Sequence, residues 1–150
     1  MEKLNGPGND FRHQLIITHV IYALMDKFIK TKKYKNYIPL PELSLKPESP
    51  QIPDITIWKK SKNQLLPVIL IEICWKNKIA DEVTKLTTLM DNQHSIEEAF
   101  IIDKEELKVK RIYRTKTKAK KPSVPQASSR IETFKLDLSQ ILIKILENKN

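Results

Sequence analysis

Glycine is nearly absent. Both glycines, Gly6 and Gly8, lie within the first ten of 150 residues. No glycine-rich phosphate loop or dinucleotide fingerprint can be built from them. One cysteine, Cys74, excludes a disulfide framework and a multi-cysteine zinc site, and reads as a buried apolar residue. Long apolar runs are missing too. The longest, Leu15 to Met25, contains Thr18 and His19 and falls short of the ~20 residues that span a bilayer. The first ten residues hold no apolar stretch of the signal-peptide kind, so a cytoplasmic protein without membrane contact is expected. Arginine is scarce: of 27 basic residues only Arg12, Arg111, Arg114 and Arg130 are arginine.

What is present is lysine, and a net charge of +9. Nine basic residues fall between Lys104 and Lys121, and five lysines between Lys27 and Lys35. Such clusters attract polyanions by counterion release, and lysine suits point contact with phosphate better than reading of base edges. Lys108, Lys110, Arg111, Arg114, Lys116, Lys118, Lys120 and Lys121 are the candidate nucleic-acid contacts, with DNA the expected partner. A solvated lysine-rich loop is the plainer alternative.

The hydrophobic pattern predicts one domain over 1–150, enough chain to bury roughly two thirds of its unfolded surface. Asn9 or Asp10 caps a helix running to about Lys32. Tyr34 to Leu45, broken by Pro39 and Pro41, reads as an edge strand or irregular hairpin. Pro47, Pro50 and Pro53 lead into a strand from Asp54 to Lys59, and a polar loop leads to a central strand, Leu66 to Cys74. A helix over Asn77–Asp91 and strands at Ala99–Ile102 and Leu107–Tyr113 follow. Residues 115–130 read as a flexible basic loop, Ile131–Leu136 as a last strand, and a helix opens at Asp137 or Ser139. The order implies an α/β sheet with flanking helices. The apolar stripe of the last helix is either core or a homodimer seam.

One polar residue interrupts this pattern. Glu72 sits inside Val-Ile-Leu-Ile-Glu-Ile-Cys, where an unpaired buried carboxylate costs several kcal/mol. It must pair, protonate or bind a cation; Arg12 and Lys85 are candidate partners. Asp54 opens the neighbouring strand. Strands lie ~4.8 Å apart, so two carboxylates at one level can share a Mg²⁺ ion. His13 and His19 lie six apart on the first helix and read as core or surface histidines, and His94 stands alone. Trp58 and Trp75 read as core residues before base-stacking ones.

The series Pro53-Asp54, seventeen residues, then Glu72 ending an apolar strand resembles the PD-(D/E)xK nuclease superfamily. The helix segment Asp81-Glu82-Val83-Thr84-Lys85, the strand Ile96 to Asp103 and, more loosely, Phe134 to Leu138 are similar to its Uma2-like endonuclease branch. This sequence departs from the pattern at Cys74, where the strand lysine would stand, and at Trp75, Leu89 and His94-Ser95. The resemblance implies a restriction-endonuclease-like mixed central sheet flanked by helices. It implies a Mg²⁺ site, open to Mn²⁺, held by Asp54, Glu72 and the Ile73 carbonyl. Lys85 would stabilise charge, Asp81 would support it, and Lys76 is the rival lysine. Arg12 and His13 would approach the site from the first helix. The expected activity is hydrolysis of phosphodiester bonds in DNA. The alternative is a non-catalytic nucleic-acid-binding or assembly protein on the same fold.

Overall fold

A computed structural model describes residues 10–45 and 51–147. Asn9, Pro47 and Pro50, named above, lie outside the described residues. The first helix, α1 (Phe11–Lys30), starts where Asp10 accepts a hydrogen bond from the His13 N–H, satisfying one of the free amides of the first turn. Its buried residues His13, Ile16, Ile17, Val20, Leu24 and Phe28 recur at helical spacing and face the sheet.

The strands β1 (Tyr37–Pro41), β2 (Ile55–Ser61), β3 (Gln64–Cys74), β4 (Glu98–Asp103), β5 (Val109–Tyr113) and β6 (Gln126–Ala127) form one sheet in that order. The β3–β4 pair is parallel and the others are antiparallel. A parallel pair needs a crossover, supplied by α2 (Ile79–Asn92). The expected α/β fold with a mixed sheet between helices is therefore present. β1 takes the edge, the position that tolerates Pro39 and Pro41, and Pro67 sits beside the irregularity at Ile57/Trp58 where β2 and β3 shift register. With no glycine available, the β2–β3 hairpin turns through Lys62 and Asn63, both at positive φ. Glu42, Leu107, Lys120 and Lys135 also hold positive φ.

Two apolar layers enclose the sheet. On one side α1 and α3 (Leu138–Glu147) cover Ile55, Ile57, Ile69, Ile71, Ile73, Phe100 and Ile102. On the other, α2 places Leu86, Leu89 and Met90 over Leu70, Cys74, Ala99 and Ile101. Alternation along β3 explains the division: odd residues face α1 and even ones face α2. Glu72 is even, and so belongs to the α2 side.

The region 115–130 departs from a structureless loop. β6 pairs with β5, Thr115 N donates to Lys121 O, and Ser123 N donates to Tyr113 O. The expected strand over Ile131–Leu136 is instead a small ribbon, β7 (Arg130–Ile131) with β8 (Leu136–Asp137), around a 3₁₀ turn. That turn buries Phe134 against Phe28, Tyr34 and Tyr37, an aromatic cluster with edge-on geometry and enough apolar area to override strand propensity.

Candidate active site

The site lies where β2 begins and β3 ends. Asp54 stands just before β2, behind the buried Pro53. The antiparallel register Ile55↔Ile71 sets it beside Glu72. Its backbone N donates to Glu72 Oε1 at 3.1 Å, and its own Oδ2 accepts from the Ile73 amide at 2.7 Å. The two acids are thus clipped together by the backbone of two strands.

Glu72 turns to α2. Lys85 Nζ donates to Glu72 Oε1 at 3.0 Å and to the Ile52 carbonyl at 3.3 Å. Glu82 Oε2 lies 3.7 Å from the same ammonium, buried and without a hydrogen-bond partner among the described residues. Burial, then the negative charge of Asp54, holds the Glu72 carboxyl well above the usual carboxylate range; Lys85 pulls against this and Glu82 adds to it. Burial also works against the charge on Lys85. Glu72, Glu82 and Asp54 outweigh it, so Lys85 titrates above an ordinary lysine and stays protonated. The field extends to Cys74: burial, then Glu82, Asp103, Glu72 and Asp54, pushes its thiol up to about 12.

Asp54 turns to α1. His13 Nε2 lies 3.0 Å from Asp54 Oδ1. His13 Nδ1 is buried with no partner among the described residues, so the tautomer that donates from Nε2 leaves no buried N–H unmatched. Glu42, whose backbone N donates to Asp54 O at 2.9 Å, closes this side, and Gln14 Nε2 donates to its Oε1 at 3.2 Å. Ligand atoms of His13, Glu42 and Asp54 all fall within 4.8 Å of one another, a spacing that could hold a metal ion.

The structure therefore brings Asp54, Glu72, Ile73 and Lys85 together and leaves two other expected residues out. Asp81 is exposed on α2; the acid that faces Lys85 is its neighbour Glu82. Asp81 lies four residues from Lys85, but on the solvent side of the helix, roughly opposite the packed stripe Val83, Leu86, Met90 at about 100° per residue. Lys76 is exposed and pairs with Glu106 at 2.6 Å, away from Glu72. Ile73 meets Asp54 through its amide. The compact group of potential metal ligands also differs from the expected pair, since it joins Asp54 to His13 and Glu42. His13 was the findable member: Asp10 fixes the first turn, and His13 is the polar residue in phase with Ile16, Ile17 and Val20. Glu42 carried no sequence signal; it reaches the site through a bend after β1.

The candidate nucleic-acid contacts divide likewise. Lys110, Lys116, Lys118, Lys120 and Lys121 are exposed. Lys108 is exposed and pairs with Glu106 at 3.2 Å. The two arginines are occupied internally. Arg111 Nε donates to Glu98 at 2.6 Å, and Arg114 donates to the carbonyls of Ile96, Lys120, Met90 and Gln93. Arg114 is a clasp on the chain itself.

No protein-family profile matches this chain, and no curated protein does. A solved structure does: a protein of Anabaena variabilis ATCC 29413 described as "a putative nuclease belonging to DUF820". The similarity has a TM-score of 0.60 at 15% identity and covers 91% of this chain and 83% of that one. The shared property is the fold, a nuclease-type mixed sheet between helices. No helix among the described residues is long and apolar enough to cross a membrane.

Proposed function

We propose that the chain is a metal-dependent endonuclease that hydrolyses phosphodiester bonds in DNA, related to the Uma2-like branch of the PD-(D/E)xK nucleases. The observation that carries the reading is the acid group at the β2–β3 ends, where Glu72 and Glu82 face the ammonium of Lys85 and Asp54 lies against Glu72. Three acids share one ammonium, and the mutual repulsion that raises Glu72 is what a divalent cation would relieve.

The donors are hard oxygens, which suits Mg²⁺, with Mn²⁺ able to substitute. Asp54 and Glu72 would hold the ion, with the Ile73 carbonyl, and Glu42 offers a further oxygen on the Asp54 side. A bound divalent ion polarises a phosphate and acidifies a water. The protein's own groups do the rest. His13 and the Ile73 amide fix both oxygens of Asp54, which sets its orientation before any substrate arrives. Lys85 stays charged and stands beside Glu72, where its ammonium would stabilise negative charge developing on a phosphate. The exposed lysines of 108–121 would supply sequence-blind phosphate contacts beyond the acid group.

A non-catalytic nucleic-acid-binding protein is the second reading, favoured by Cys74 at the place of the strand lysine. Cleavage of plasmid DNA with Mg²⁺ or Mn²⁺, alongside calorimetric titration of each ion, separates the two. Asp54→Ala and Glu72→Ala are each expected to abolish cleavage while the circular dichroism spectrum is retained. Wild-type cleavage in both variants removes the mechanism. Salt-dependent DNA binding with no ion binding selects the second reading.

A further inference from the structure

The inward face of α1 builds the core, and the outward face is apolar as well. Phe11, Tyr22 and Ile29 are 72%, 73% and 74% exposed. Met25 is exposed beside them, and Leu15 is partly so. With Thr18 these residues follow the spacing 11, 15, 18, 22, 25, 29, alternating steps of four and three. That is the seam of a two-helix coiled contact, and at 100° per residue it lies opposite the buried line Ile16, Val20 and Leu24. Single exposed apolar residues need no explanation, but a continuous stripe along a 20-residue helix marks a contact surface.

We propose that this stripe pairs with the same stripe of a second copy of the chain, the two α1 helices running antiparallel about a two-fold axis. Two features select that occupant and direction. First, the stripe is self-complementary when reversed. Phe11 then opposes Ile29 of the partner subunit, Leu15 opposes Met25 of the partner subunit, and Thr18 opposes Tyr22 of the partner subunit. Every layer is filled, as an isologous contact requires. Second, charge favours it. Lys27, Lys30, Lys32, Lys33 and Lys35 crowd the C-terminal end of α1. A parallel pair would stack these clusters, whereas the antiparallel pair sends them to opposite ends. It also brings Arg12 at the flank of the stripe within reach of Asp26 of the partner subunit. Asp26 now carries an exposed pair with Lys30 at 3.0 Å, which a guanidinium can displace.

The paired length from Phe11 to Ile29 is about 27 Å at ~1.5 Å per residue, so the contact is a small one with micromolar affinity. Sedimentation equilibrium on the full chain tests it. At about 100 μM the wild type is expected at twice the 17.5 kDa chain mass, and dilution to about 1 μM shifts it toward the monomer. Tyr22→Glu and Ile29→Glu, at exposed positions, are each expected to give monomers with an unchanged thermal transition. Arg12→Asp or Asp26→Arg alone weakens association roughly fivefold, and the double variant restores it. A monomeric wild type at the highest concentration overturns the proposal, and this includes the case of a stripe that serves a different protein. Failure of the double charge reversal to restore association overturns the antiparallel arrangement.

Discussion

Two glutamates are buried in adjacent parallel strands, and they have different consequences. Glu98 opens β4 on the α1 side of the sheet; Glu72 lies near the end of β3 on the α2 side. Burial raises the titration of both. Glu98 has one strong partner, the Arg111 guanidinium at 2.6 Å, which pulls against burial, while Glu132 and Glu97 add less. Glu72 shares one ammonium with Glu82 and lies against Asp54, so its surroundings are acid-rich. A balanced pair is complete in itself. An unbalanced cluster leaves a deficit that a ligand can fill, which is why the second glutamate and not the first is assigned to chemistry.

The largest effect that would sharpen this contrast is on rate. Lys85→Met is expected to lower metal-dependent DNA cleavage by about a hundredfold, while Arg111→Met leaves it within about threefold. Equal losses from both variants would dissolve the distinction. Next is stability. Glu98→Ala leaves the half-buried Arg111 unpaired and is expected to cost about 2 kcal/mol, a fall in Tm of roughly 5 °C by calorimetry. The smallest effect has the opposite sign. A carboxyl whose folded pKa is raised binds more protons folded than unfolded, so its contribution falls as pH rises through that window. Glu72→Gln removes this penalty. Its Tm is expected to exceed the wild type's by about 3 °C at neutral pH, with the gap closing as pH drops below the ordinary carboxylate range. A gap of constant size would remove Glu72 as its source.

Much of this was legible in the residues. The periodicity of α1 and α2, the unbroken apolar run of β3 and the proline-marked edge strand specified the main elements within a few residues, because each is long and locally consistent. The pairings at 126–137 were not legible. Strands of two residues are set by what they pack against, here the burial of Phe134 under the aromatic cluster. Asp54, Glu72 and Lys85 stood out because a carboxylate within an apolar strand demands a partner, and the lysine that answers it is thirteen residues away. His13 was placed near the site only by the resemblance, since 41 residues separate it from Asp54 and only the packing of α1 closes that distance. Asp81 was the acid the resemblance implied; Glu82, which faces Lys85, is its neighbour, a rotation finer than a repeat of three and four resolves.

The scarcity of glycine has a consequence for how the chain assembles. Lys62, Asn63, Leu107, Lys120 and Lys135 turn the backbone through left-handed conformations that residues with a Cβ resist by roughly 1–2 kcal/mol each, asparagine less. Such bends need the strands they join to hold them. The β2–β3 corner is held by the pairing of the strands on either side of it, Ser61 with Gln64 and Lys60 with Leu65, so the sheet sets its corners and not the reverse.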